Sequence, residues 1–139
     1  MTPLNLDQEA ALSAQQMVAA ALTVKKDAKA IENLITKTLG VLQEQGVYAC
    51  MLFLFSRTSS DERGFTGKIR PVLYDLLGKL PAFGQRADLP TWQDESKKVL
   101  EFYARHVCQE LDSLLLARDL YEQALIYARF TAKAERKGD

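Results

Sequence analysis

Few residues in this chain could do chemistry. It has one histidine, His106, and two cysteines, Cys50 and Cys108. A metal site built on two histidines therefore cannot form within one chain. A di-iron bundle uses Glu-x-x-His pairs, and the residue three before His106 is Tyr103. Cys108 follows His106 by two positions, which on a helix sends the two side chains to different faces. His106 reads as a half-buried structural residue. No phosphate loop, Gly-x-Ser-x-Gly or Cys-x-x-Cys occurs, so the common nucleophile and nucleotide motifs are absent. The carboxylate pairs Asp61/Glu62 and Asp94/Glu95 are adjacent, in a loop and in a first helical turn, and call for no catalytic role. The expectation is a protein that is not an enzyme and carries no metal and no cofactor.

Cations are the remaining candidates. Residues 57–86 carry Arg57, Arg63, Lys68, Arg70, Lys79 and Arg86 against Asp61, Glu62 and Asp75, an excess of three. The C-terminal tract has Arg129, Lys133, Arg136 and Lys137 against Glu135, again an excess of three before Asp139. Arg129, Lys133 and Arg136 are spaced by four and three, so they share one helix face. A solvated face, with cations placed favourably at a helix C-terminus, accounts for either cluster taken alone. The sharper reading is sequence-independent contact with phosphates through Arg57, Lys68, Arg70, Arg129, Lys133 and Arg136. Lys25, Lys26 and Lys29 form a third cluster, read as a solvated turn between helices.

The elements that must position these groups are helical. The chain has 139 residues, enough for one domain with a real core and too few for two comfortable ones. Its 18 Lys and Arg balance 18 Asp and Glu, which weighs against an ordinary strongly basic nucleic-acid binder. Both cysteines lie in apolar helical contexts and read as reduced core residues. The opening residues lack the basic-then-apolar layout of a signal peptide, so a cytoplasmic protein is expected. The run Val47-Tyr48-Ala49-Cys50-Met51-Leu52-Phe53-Leu54-Phe55 carries no charge and is far short of the ~20 residues a membrane helix needs. It is placed as a central helix over 47–56, apolar all round and enclosed by the others, with Phe53 in the core.

Asn5 or Asp7 can cap a first, alanine-rich helix to about residue 24, and Asp27 a second to about residue 45. In the second, Ile31, Leu34, Ile35, Leu39 and Leu42 form one apolar stripe. Gly46 closes it or hinges it into the central helix. Residues 57–67 have no periodicity and read as a mobile loop. A short helix follows over 68–79, with Pro71 in its first turn, and residues 80–90 read as a second irregular segment. Thr91 with Asp94 and Glu95 resembles the start of a helix reaching about residue 109, with Val99, Phe102, Tyr103, His106 and Val107 on one side. Asp112 is the candidate cap of a last amphipathic helix to about residue 136, although no Gly or Pro prevents a continuous helix across 109–113. The fold expected is an all-α single-domain bundle, residues 1–139, of about five or six helices.

Three stretches then resemble a known family, the small all-helical subunit of the type III-B CRISPR-Cas effector, the Cmr complex. Leu6-Asp7-Gln8 with Ala11, Ala14 and Val18 is similar to its opening helix. Gly46-Val47-Tyr48 running into Leu52-Phe53-Leu54 is similar to its central helix. Ala124-Leu125 followed by Phe130, Lys133 and Ala134 resembles its closing helix. The family often has arginine where this chain has Ala10, and tryptophan where it has Phe130. The resemblance implies a non-catalytic subunit that stacks with neighbouring copies of itself beside other effector-complex subunits. It would line the channel holding guide RNA paired to target RNA, touching backbone without reading bases. It implies no membrane and no small-molecule substrate. The related type III-A small subunit shares these features, and a helical protein–protein adaptor with no RNA role is the alternative.

Overall fold

Short polar residues set where the first helices begin. Asn5 accepts a hydrogen bond from the Gln8 amide at 3.1 Å, and Asp27 one from the Ala30 amide at 3.0 Å, satisfying amides that a helix start leaves unpaired. These caps open α1 (Leu6–Val24) and α2 (Ala28–Gln45). Gly46, at φ 98°, ends α2 and starts α3 (Val47–Phe55). Such a backbone is cheap only for glycine, so the hinge position is fixed by residue type. The computed structural model describes residues 5–84, 90 and 96–137. Among them it has seven α-helices, one π-helical turn and no strand, one helix more than the upper expectation.

The longest helix, α7 (Leu111–Lys137), is the axis of the bundle, with α1 and α2 packed along it. Arg118 donates to the Gln43 carbonyl at 2.7 Å, while Arg136 meets Glu32 at 2.6 Å. The two ties fix α2 antiparallel to α7. Ala117, Tyr121, Leu125, Ala128 and Ala132 are buried as their spacing requires. α7 begins at Leu111, so Asp112 is its second residue and not its cap, a place where a carboxylate still favours the helix dipole.

Three expectations are corrected. α3 is not enclosed: Val47, Cys50, Met51 and Leu54 are buried, but Tyr48 and Leu52 are 37% and 45% exposed, and Phe53 is only partly buried. A nine-residue helix lying against a bundle has one face to cover, and the apolar run is wider than that face.

Second, only 57–59 of the stretch 57–67 is a connection; the rest is helix. α4 spans Ser60–Leu77, capped by Ser59 accepting from the Glu62 amide at 3.2 Å, with Asp61 and Glu62 in its first turn. Gly64 and Gly67 mimic a loop composition, yet Gly64 is there for packing. A Cβ on it would come within 2.6 Å of Val24, at the end of α1. Pro71 therefore falls mid-helix and not in the first turn.

Third, part of 80–90 is ordered. Pro81–Gly84 forms the single turn α5, and Phe83 is buried edge-on to Phe102 with ring centroids 6.3 Å apart. The Thr91, Asp94 and Glu95 helix start, and Arg86, lie outside the described residues.

α6 (Ser96–Phe102) continues into a π-helical turn, Tyr103–Val107, closed by the Cys108 amide donating to the Tyr103 carbonyl at 2.9 Å. The wide turn buries Tyr103 and Val107, and His106 sits half-buried against Phe102. The chain then breaks before α7, so there is no continuous helix across 109–113. Tyr103 and Tyr121 share a hydrogen bond of 2.5 Å in the core. Both cysteines are free, Cys50 fully buried and Cys108 partly so. Among the described residues no helix is long and apolar enough to cross a membrane.

Two outcomes follow from this packing. Leu54 is fully buried, so Leu54→Ala should destabilise by about 2–5 kcal/mol. The half-buried Phe53→Ala should lose clearly less in the same urea titration.

The buried phenols give the second. Burial raises the pKa of Tyr103 and Tyr121 well above the usual tyrosine value, and it pushes the Cys50 thiol up to about 12. In the unfolded chain these groups ionise near ~10 and ~8.5. Above those values the native state binds more protons, so stability is fully present below about pH 8 and falls as pH rises, by about 1.4 kcal/mol per pH unit for each phenol once past ~10. The Tyr103→Phe, Tyr121→Phe double variant should show a shallower alkaline decline in unfolding midpoint; equal steepness would contradict the buried pair.

Candidate functional site

α3 has no basic residue in its own last turn, so its C-terminal carbonyls are left for donors from elsewhere. Two arginines supply them. Arg57 Nε donates to the Phe53 carbonyl at 3.1 Å, with the guanidinium 3.8 Å from the centre of the Phe53 ring. Arg70 reaches across from α4 and donates to the Leu54 carbonyl and to Thr66 Oγ1, each at 3.4 Å, while lying 4.3 Å from the Phe55 ring centre. Cations are favoured at the negative end of a helix and over an aromatic face. The placement of both side chains therefore follows from local electrostatics.

Arg63 joins them. It stands seven positions before Arg70, two turns along the same face of α4, and all three arginines line one groove of about 800 Å³ bounded by α3, α4 and α6. Met51, Tyr74 and Val99 lie behind it, nearly fully buried, and Ser60, Thr66 and Gly67 are among its other lining residues. Among the described residues no carboxylate lines it. Two carboxylates of the first turn of α4 are drawn elsewhere: Asp61 pairs with Lys25 at 3.0 Å, and Glu62 with Lys37 at 3.5 Å. The Asp61 hydrogen bond also raises the Lys25 pKa. The first turn of α4 thus turns its negative charge toward α1 and α2, and its positive charge into the groove. Burial lowers the pKa of the Arg70 guanidinium, although an arginine side chain stays cationic in proteins. Pro71 has no amide hydrogen, so the Gly67 carbonyl beside the groove lacks its usual helical donor.

The expected residues separate into two places. Arg57 and Arg70 meet in the groove; Lys68, also on α4, is exposed and does not line it. Arg129 and Lys133 are exposed on α7, and Arg136 is held by Glu32. Glu32 serves α7 while Lys37 serves α4, and five positions on α2 separate them by roughly 140° about its axis. The two basic sets therefore sit on different flanks of α2 and form no continuous patch. Lys25 from the third cluster is engaged in its ion pair. Arg63, a member of the 57–86 cluster but not one of the six candidate contacts, is the residue the groove adds. The signal was present in Ser60, Arg63, Gly67, Arg70 and Tyr74, spaced by three, four, three and four.

No family model, curated protein or solved structure matches the chain. The chemistry of the groove stands on its own lining. Ser60 offers a hydroxyl, whereas that of Thr66 is buried between the Arg63 carbonyl and Arg70; no described lining residue is a histidine, cysteine or carboxylate that would activate one. Among the described residues no three of His, Cys, Asp and Glu gather as metal ligands. What the groove offers is guanidinium donors, which match the oxygens of a phosphate as forks.

The arginines differ in what they do for the fold. Arg70 satisfies the α3 carbonyl, so Arg70→Ala should lower stability by about 1–2 kcal/mol. Arg63 has no side-chain partner among the described residues, and Arg63→Ala should change stability by no more than about 0.5 kcal/mol. Thermal melts of the two variants check this difference.

Proposed function

We propose that this chain is a non-catalytic small subunit of a type III RNA-guided effector complex of the Cmr kind, acting in the cytoplasm and contacting RNA through its backbone. The observation that carries this reading is the meeting of Arg57, Arg63 and Arg70 in one groove, with Asp61 and Glu62 of the same helix paired to Lys25 and Lys37 instead. The resemblance of the opening, central and closing helices to that family supports it, as does the all-helical bundle. A neutral net charge is compatible with such a role, since weak contacts repeated on neighbouring copies add through multivalency. Other subunits of the complex and copies of this chain are its protein partners; RNA is its nucleic acid.

The second reading is a helical adaptor with no RNA role. It is favoured by the apolar side chains left exposed on α7, Leu111 at 65% and Phe130 at 61%, which suit protein contacts.

The two readings part on salt dependence in the assembled complex. With Arg57, Arg63 and Arg70 replaced together by glutamine, retention of RNA should weaken for all sequences alike. The slope of log affinity against log salt should fall by roughly 1 for each phosphate that is no longer neutralised. The same measurement on an Arg129, Lys133 and Arg136 set should give a smaller change, since Arg136 is already neutralised by Glu32. Unchanged RNA retention in both assembled variants would favour the adaptor.

A further inference from the structure

The longest helix keeps an apolar strip that the described residues leave open. On α7, Leu111, Leu115, Leu116 and Phe130 are 65%, 44%, 39% and 61% exposed. At 3.6 residues per turn they fall within roughly 140° of arc, on the side away from the buried Ala117, Tyr121, Leu125, Ala128 and Ala132. Leucine and phenylalanine grouped on one open face mark a contact surface. The same arc carries charge in two halves. Asp112, Asp119 and Glu122 lie toward the helix start, Arg129 and Lys133 toward its end. Among the described residues no ion pair engages any of the five. A helix dipole favours acid at the start and base at the end, but it acts only within the first and last turns. Asp119, Glu122 and Arg129 lie outside those turns, so the division needs another cause.

A face that is acidic at one end and basic at the other is complementary to itself turned end for end. The spacing agrees. Asp112 precedes Leu115 by three positions, and Phe130 precedes Lys133 by three. An antiparallel alignment that sets Leu115 of one copy on Phe130 of the other therefore sets Asp112 on Lys133. It also sets Leu116 beside the aliphatic stem of Arg129. A parallel alignment would set acid on acid and base on base. We propose that two copies of this chain pair through the exposed face of α7, antiparallel about a twofold axis. Such a contact is isologous, the same patch on both copies, and it closes at two where head-to-tail stacking does not. The inference goes beyond the RNA reading and is independent of the groove. It gives Arg129 and Lys133 to a protein neighbour instead of a phosphate.

The test uses the full chain, freed of nucleic acid, in sedimentation velocity over a concentration series reaching the high micromolar range. Wild type should pass from monomer to dimer. Phe130→Ser should weaken the dimer roughly tenfold or more, with a thermal melt close to wild type, since the ring is mostly exposed. Charge reversal is the decisive arm. Asp112→Lys, Asp119→Lys and Glu122→Lys together make the face basic throughout; Arg129→Glu and Lys133→Glu together make it acidic throughout. Each variant alone should stay monomeric, because like charges then meet. An equimolar mixture of the two should form a heterodimer at least as tight as the wild-type pair. Should the triple variant fail to fold, Asp119→Lys alone, mixed with the acidic variant, gives the same direction with partial restoration.

A wild type that stays monomeric across the series would overturn the proposal and leave the face to an unlike partner. A dimer that persists in both charge variants, or that Phe130→Ser does not weaken, would place the contact elsewhere and overturn it as well. So would variants that are folded and monomeric alone yet do not pair when mixed. Association that appears only when RNA is added would overturn it while leaving the RNA reading intact. The RNA reading fails separately, by unchanged RNA retention when Arg57, Arg63 and Arg70 are replaced, and that variant should dimerise as wild type does.

Discussion

α1 and α7 are in direct contact along the bundle, and each buries a series of alanines: Ala10, Ala14 and Ala21 on one, Ala117, Ala124, Ala128 and Ala132 on the other. Small side chains let two helix backbones approach closely, and alanine does so without a helix-propensity penalty. The Tyr127 hydroxyl donating to Asp7 at 2.5 Å marks how near the two helices lie at one end. That contact fixes the position of α1, and α1 in turn fixes α4 through the fit of Gly64 against Val24. The groove exists because α4 is pressed there, with Arg63 and Arg70 facing α3.

Charge then divides along the same helix. Asp61 and Glu62 stabilise the start of α4 through its dipole, and Lys25 and Lys37 hold them on the bundle side. Exposed ion pairs of this kind contribute little stability, typically below ~1 kcal/mol. Their effect is directional: they settle which side of α4 is acidic. With those two carboxylates occupied, Arg63 and Arg70, two turns apart, line the groove with no carboxylate among its described lining residues.

Much of the fold was legible in the sequence because its signals were local. Asn5, Asp27 and Gly46 each act within a few residues, and the stripe from Ile31 to Leu42 repeats at the helical period. α4 was not legible over its first two turns, since Gly64 and Gly67 are poor helix formers and Gly64 is explained only by Val24, forty positions earlier. The loop-like composition of that stretch hid the helical register that places Arg63 and Arg70 on one face. The exposure of Tyr48 and Leu52 was hidden for a different reason. An apolar run tells how much surface a helix could bury, whereas the neighbours decide how much they cover. Arg57 and Arg70 were found from charge alone, but their seats on the α3 carbonyls depend on a helix end and a ring brought together by tertiary packing.

Gly64, Gly67 and Pro71 lie within eight positions of one helix. Each lowers the intrinsic tendency of that segment to be helical, glycine by about 1 kcal/mol and an interior proline by about 3 kcal/mol relative to alanine. α4 is therefore helical over these residues because α1 and α3 hold it. In an isolated peptide the segment would be coil. Its backbone amides belong to the part of the molecule that opens when α4 undocks and not by end-fraying. The arginine face then has a shape only while the bundle is intact, and hydrogen exchange across 64–71 reports the docking of α4 as a unit.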